Sequence, residues 1–166
     1  MTKSKKYILS KITAEKKLQR IALEIAERNY DEKELVFIGI KDNGVVIANK
    51  IAGYLKKNIS CKVILAELEL DKRKPSFVKI TPQIDFNDKV IVLIDDVANS
   101  GKTMLYALKP LLERYPKKIQ TLALVERTHK IFPVEVDYVG LSVSTTLDEH
   151  IFVEVETGEI NGAYMI

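Results

Sequence analysis

The sequence predicts an α/β fold in which a mostly parallel central sheet is flanked by helices. Three observations predict it. Short apolar runs alternate with amphipathic stretches of helical period, the pattern of βαβ units. The run Val90 to Ile94 is apolar at every position, as a strand buried on both faces of a parallel sheet requires. No repeat, low-complexity linker or compositional break divides the 166 residues, 46% apolar and 30% charged. One domain over residues 1–166 then has enough buried surface to fold without staples.

Leu18, Ile21, Ala22, Ile25 and Ala26 recur at helical spacing, so a first helix runs from Thr13 to Asn29. The apolar run Leu35 to Ile40 ends at Lys41-Asp42-Asn43-Gly44 and reads as a strand entering a tight loop. A second helix, Gly44 to Lys56, carries Val46, Ile47, Ile51 and Leu55, and Cys61 to Leu70 is the next strand. Asp71 to Lys89 is polar, holds Pro75 and Pro82, and reads as an exposed loop. Val90 to Ile94 is the central strand. Gly101 to Arg114 is its helix, with Met104, Leu108, Leu111 and Leu112 on one face. Strands Thr121 to Val125 and Tyr138 to Val143, bracketed by Pro116 and Pro133, complete the set. Ligands of such sheets bind beyond the C-terminal strand edge. The loops Lys41 to Gly44, Asp95 to Gly101, and Glu126-Arg127-Thr128-His129 are expected to gather there.

A single cysteine, Cys61, rules out a disulfide framework within one chain. The basic N-terminus is followed by no long apolar run, and no segment is long enough to span a bilayer. A cytoplasmic location without membrane partners is expected. The net charge of +3 suits phosphorylated ligands but falls short of a clear nucleic-acid footprint.

The chemistry concentrates in Val90 to Thr103. The strand delivers two adjacent carboxylates, Asp95 and Asp96, into a turn of small and hydroxylic residues that opens a helix. Amides without intrahelical partners and the helix dipole favour an anion at that point. Gly101 permits close backbone approach, and Ser100 and Thr103 add hydroxyl donors. The competing reading is an ordinary helix start capped by Ser100, with solvated carboxylates. A nucleotide P-loop is disfavoured, because Asp96 stands where that motif needs a glycine and would repel a polyphosphate.

Asp95-Asp96 followed by Val97-Ala98-Asn99-Ser100-Gly101-Lys102-Thr103 resembles the PRPP-binding motif of type I phosphoribosyltransferases in residue type and spacing. Ile38 to Gly44 is similar to that family's pyrophosphate loop. Leu124 to Lys130 and Asp137 to Val153 resemble one subfamily, the bifunctional pyrimidine-operon regulators and uracil phosphoribosyltransferases. The likeness covers roughly residues 10–160 and is weakest at 71–89. The resemblance implies the type I phosphoribosyltransferase fold with a small hood, and an Mg²⁺-dependent transfer from PRPP to a free base, uracil, releasing pyrophosphate. It implies that Asp95 and Asp96 hold the ribose hydroxyls and that Val97 to Thr103 cradle the 5′-phosphate. Lys41, Asp42, Asn43 and Gly44 receive the diphosphate. Of the loop cations Lys72, Arg73 and Lys74, Arg73 joins the two acids as the catalytic group, with a solvated loop tip as the competing reading of this run. Arg127, Thr128, His129, Val143, Ser144 and Thr145, with the run on to Leu147, form the base hood. Mg²⁺ is held mainly through the substrate. His129, His150 and Cys61 are too scattered for metal-ligand spacing. A homodimer or higher homo-oligomer is implied by the same likeness.

Three departures bear on these expectations. Asn43 stands where the subfamily usually has arginine. The loop at 71–89 is shorter than the family's mobile loop. Asn99 and Glu126 replace the acid and lysine with which hypoxanthine-guanine enzymes hold a purine, which favours a pyrimidine. Two readings remain beside uracil transfer. One is a purine phosphoribosyltransferase. The other is an RNA-binding regulator sensing nucleotides through the same pocket, with lysines 11, 16, 17, 56, 57, 117 and 118 as phosphate contacts or ordinary solvated faces. Lys41 is likewise open to a solvated reading, and His129 to plain exposure.

Overall fold

The computed structural model describes residues 4–166, so residues 1–3 of the expected domain lie outside the described residues. In chain order the elements are β1 (Lys6–Ser10), α1 (Lys11–Arg28), β2 (Glu34–Ile40), α2 (Asn43–Leu55), β3 (Lys62–Leu70), β4 (Val78–Thr81), β5 (Val90–Ala98), α3 (Lys102–Leu112), β6 (Lys118–Arg127), β7 (Tyr138–Val143), β8 (Ile151–Glu156) and β9 (Glu159–Met165). The central sheet has the order β4-β3-β2-β5-β6-β7, parallel throughout except where β4 runs against β3. The expected mostly parallel sheet is therefore present.

Both faces of β2 and β5 at the centre of this sheet are covered, which is why they read as unbroken apolar runs. Leu35, Phe37, Val90, Val92 and Ile94 pack with α1 and α2. Val36, Ile38, Ile91 and Leu93 pack on the other side with Ala107 and Leu111 of α3. β2 feeds α2 and then β3 on one side, whereas β5 feeds α3 and then β6 on the other. The crevice between the C-terminal ends of β2 and β5 is thus the topological switch point. Buried Asn29 anchors the end of α1 to the sheet, its amide donating to Ile25 O at 2.9 Å and Gln120 Oε1 at 3.0 Å.

Several expected boundaries are corrected. α1 begins before Thr13, because Ser10 caps it and accepts a hydrogen bond from Thr13 N at 3.1 Å. The stretch 71–89 is not all loop, since β4 pairs Ile80 with Leu68 and buries it. β5 runs four residues past Ile94, so the two acids lie on the strand itself. β1, β9 and β8 form a separate antiparallel sheet, held on the core by Leu9, Ile151, Val153, Ile160 and Ala163. β8 and β9 are joined by Thr157 and Gly158, both at positive φ, 50° and 76°, as a two-residue hairpin turn demands.

Among the described residues no helix is long and apolar enough to cross a membrane.

Candidate active site

Successive residues of a strand point to opposite faces, and the acid pair obeys this. Asp96 turns toward the start of α2, where its Oδ2 accepts from Asn43 Nδ2 at 2.8 Å. Asp95 turns toward the loop after β3, where Lys72 Nζ lies 3.7 Å from its Oδ1. Both line one cavity of about 330 Å³, because the strand end emerges in the crevice. Val97 to Met104, Lys72, Asn43 and the β8 edge Ile151-Phe152-Val153 complete the wall.

The turn between β5 and α3 is shaped for close approach. Gly101 sits in the left-handed region at φ 84°, and a Cβ there would lie 3.1 Å from Phe132 O. The turn is braced from behind, as Ser100 O accepts from Ile131 N at 3.0 Å and Phe132 N at 2.9 Å. The first intrahelical bond of α3 runs from Leu105 N to Gly101 O, so the amides of Thr103 and Met104 precede any helical acceptor. Gly101 is the N-cap, and Ser100 Oγ accepts only a long bond, 3.3 Å, from Lys102 N. The simple Ser-capped helix with solvated acids is not what forms.

Asp95 is 1% exposed. Burial first, and then the neighbouring Asp96 charge, push its carboxyl up to about 8, against the pull of Lys72. Asp96 keeps a different environment, its Oδ1 accepting from Val97 N at 2.8 Å. Two acids in sequence thus occupy unlike settings, one dry and beside an ammonium, the other bound by neutral donors. Their hard oxygens suit a cation such as Mg²⁺. Among the described residues no group of three or more His, Cys, Asp or Glu is placed to hold a metal ion alone.

Several expected residues fall elsewhere. Lys41 pairs with Glu69 at 2.6 Å, in a neighbouring hollow shared with Asp42, Lys74 and Phe77. The hydrogen bond from its ammonium to Glu69 raises the lysine and lowers the glutamic acid. Arg73 is exposed outside the cavity, its amide tied to Asp71 Oδ1 at 2.8 Å. Lys72 is the cation that the loop brings in. Arg127, Thr128, His129, Val143, Ser144 and Thr145 do not line this cavity. Arg127 instead donates to the carbonyls of Thr146 and Glu149, and the Thr128 and Ser144 hydroxyls meet at 3.0 Å. These groups hold the loop that leads into β8, and β8 supplies the cover. Glu126 is engaged by Lys130 Nζ and Ser142 Oγ, both at 2.7 Å.

The alternation Ile151, Val153, Val155 against Phe152, Glu154, Glu156, followed by Thr157-Gly158, is a strand-and-turn signal that marks this edge. Nothing in the sequence distinguishes Lys72 from its two cationic neighbours.

The lysines named as possible RNA contacts sit on several elements. Lys11, Lys16 and Lys17 lie on α1, while Lys56 and Lys57 follow the last turns of α2. Lys117 pairs with Glu32 at 2.8 Å, and Lys118 donates to Arg28 O.

Comparison with known proteins agrees with this geometry. The model of the phosphoribosyl transferase domain matches residues 6–158. The bifunctional protein PyrR of Enterococcus faecalis is 32% identical over 161 residues, covering 92% of this chain and 90% of the relative. The bifunctional protein PyrR of Clostridium acetobutylicum is 34% identical over 159 residues, covering 90% and 89%. The pyrimidine operon regulatory protein of Lactococcus lactis subsp. lactis is 32% identical over 168 residues, covering 98% and 97%. Among solved structures, the hypoxanthine phosphoribosyltransferase of Trypanosoma cruzi superposes with a TM-score of 0.78 at 14% identity, covering 96% and 95%. That likeness speaks for the fold alone. With its fold, its acid pair and its α3 turn in agreement with the match over 6–158, the chain belongs to the phosphoribosyl transferase domain family.

Proposed function

We propose that this chain joins free uracil to PRPP and releases pyrophosphate, in the presence of Mg²⁺. The observation that carries the reading is the convergence of the acid pair and the α3 turn on one cavity. The amides at the start of α3, with the Ser100 and Thr103 hydroxyls, hold the 5′-phosphate. Asp95 and Asp96 engage the ribose hydroxyls, and the Asp96 charge stabilises the positive sugar as the C1–O bond to diphosphate breaks. Lys72 and Lys102 face the same cavity and supply positive charge to the leaving group. The backbone of Asp42 to Gly44 adds the donors of a second helix start. Mg²⁺, when bound, neutralises part of the diphosphate charge, and the acid oxygens with the substrate's own oxygens would hold it. Chemistry here is mostly positioning and electrostatics.

Uracil is supported by the name of one relative, the pyrimidine operon regulatory protein, and by Asn99 and Glu126, which cannot serve a purine as an acid and a lysine would. Purified protein with PRPP and Mg²⁺ should release pyrophosphate with uracil and not with cytosine, hypoxanthine or guanine. No turnover with any base would remove the enzyme reading, and turnover with hypoxanthine would remove the uracil assignment.

The relatives' names favour a second role as a regulator of pyrimidine genes, and RNA is the partner we propose for it. Tight, structure-dependent RNA binding that persists at moderate salt would support this; weak, structure-blind binding would count against it. We place both roles in the cytoplasm, in a homodimer or larger homo-oligomer. Leu65 on the inner strand β3 is 38% exposed, and a parallel sheet ordinarily covers such a face.

A further inference from the structure

Asn43 opens α2, and its side-chain amide uses both hydrogens away from the helix. One goes to Asp96 Oδ2 at 2.8 Å, the other to the backbone carbonyl of Val153 at 3.1 Å. One NH₂ group therefore joins three elements: the start of α2, the acid end of β5 and the β8 edge that closes the cavity. The placement is rigid from below. A Cβ at Gly44 would come within 2.6 Å of Ile94 O, so α2 begins in direct contact with the β5 backbone.

Asp96 is bound at both oxygens, by Asn43 and by Val97 N. Each oxygen still has a lone pair to accept from a ligand hydroxyl. A neutral amide orients the carboxylate without cancelling its charge, whereas a guanidinium in this position would form a charge-assisted pair with it. The residue that looks like a missing cation in the sequence has a task of its own.

We propose that Asn43 is a positioning residue that couples the β8 edge to Asp96, so that one amide both orients the ribose acid and sets how closely the hood approaches the base. The inference rests on the phosphoribosyl-transfer reading and extends it, because it makes affinity for the base depend on the first residue of α2. Lys50, which ties α2 to β9 through Glu159 at 2.9 Å, serves as a control that touches the hood but not the acid.

The test compares wild type, Asn43→Ala, Asn43→Asp and Lys50→Met. Initial rates are measured with uracil and PRPP varied separately, and hydrogen exchange of β8 is followed in the free protein. Asn43→Ala is expected to raise the KM for uracil about tenfold, the effect of losing a hydrogen bond to a charged group, with a smaller change in kcat. Exchange of β8 quickens while that of α1 stays as in wild type, and Lys50→Met leaves the uracil KM unchanged. Asn43→Asp places an acceptor against Asp96 and the Val153 carbonyl, so its loss is at least as large as that of Asn43→Ala. Wild-type values of both the uracil KM and β8 exchange in Asn43→Ala would overturn the proposal. If wild type turns over no base, the transferase reading fails separately. Exchange then decides the coupling: faster β8 exchange in Asn43→Ala upholds it, and unchanged exchange overturns it.

Discussion

Lys72 Nζ stands 3.7 Å from Asp95 Oδ1, linking an exposed loop cation to a carboxyl whose side chain is 2% exposed. The pair explains how one acid of the motif can be dry and still answer to charge. Without a ligand, the ammonium is the positive group that opposes the effects of burial and of Asp96. On the proposed function, the same ammonium would face the diphosphate of PRPP.

The buried carboxyl gives the free protein a particular pH dependence. Asp95 holds its proton in the fold up to about pH 8, whereas an unfolded aspartate releases its proton near pH 3.9. Between those limits the folded state binds more protons than the unfolded one. Stability therefore falls as pH rises through the window and levels off above it, with roughly 1.4 kcal/mol per pH unit as the ceiling for one proton. Asp95→Asn should flatten the slope and stabilise the free protein at pH 8. Urea unfolding at pH 5, 6.5 and 8 measures this, and an equal slope in both proteins would refute the assignment.

Lys72 and Arg73 are expected to behave differently despite being neighbours. Lys72→Met removes a cation from the cavity wall and should lower kcat/KM for PRPP by about tenfold, a cost typical of a charge-assisted contact. Arg73→Met, which alters an exposed side chain outside the cavity, should stay within about twofold. Steady-state kinetics of the two variants decides; equal losses would restore Arg73 to the catalytic set.

Gly101→Ala tests the phosphate turn. The new Cβ meets Phe132 O at 3.1 Å in a backbone at φ 84°, and a strained left-handed residue costs about 1 to 3 kcal/mol. Thermal unfolding should show a lower Tm, and titration with ribose 5-phosphate should show weaker binding. A variant with the wild-type Tm and affinity would mean that the turn tolerates a side chain and is not the close-approach site described.

Arg127→Met tests the brace behind the hood. It leaves the carbonyls of Thr146 and Glu149 without their donor, which should destabilise the protein by about 2 kcal/mol. The loosened loop should raise the KM for uracil more than that for PRPP. A rise confined to PRPP would place Arg127 at the other end of the site.

The legible parts of this protein were the contiguous ones. Val90 to Thr103 holds the buried strand, both acids and the turn that opens α3 within one short run, so local pattern places them together. The hood is assembled from β1, β8 and β9, segments near opposite ends of the chain, and only tertiary pairing brings Ile151 to Val153 over the cavity. Their alternation and the Thr157-Gly158 turn announce two strands without saying what they cover. β4 is four residues long and is followed directly by Pro82, which leaves Val78 and Ile80 too short a pattern to stand out. Lys72 and Arg73 differ in no sequence property that decides which one enters; the path of the loop does, with Asp71 holding the Arg73 amide. Asn43 shows the same limit, since its partners Asp96 and Val153 are remote in sequence.

The most direct test is calorimetric titration of PRPP, with Mg²⁺ present, into wild type and Asp96→Asn. The substitution keeps the size of the side chain, removes its charge and turns one of its two acceptor oxygens, bound by Asn43 and Val97 N, into a donor. Wild type should bind PRPP, and the variant should bind at least about tenfold more weakly with its fold intact by circular dichroism. Equal affinity in the two proteins would contradict the claim that the acids at the end of β5 grip the sugar.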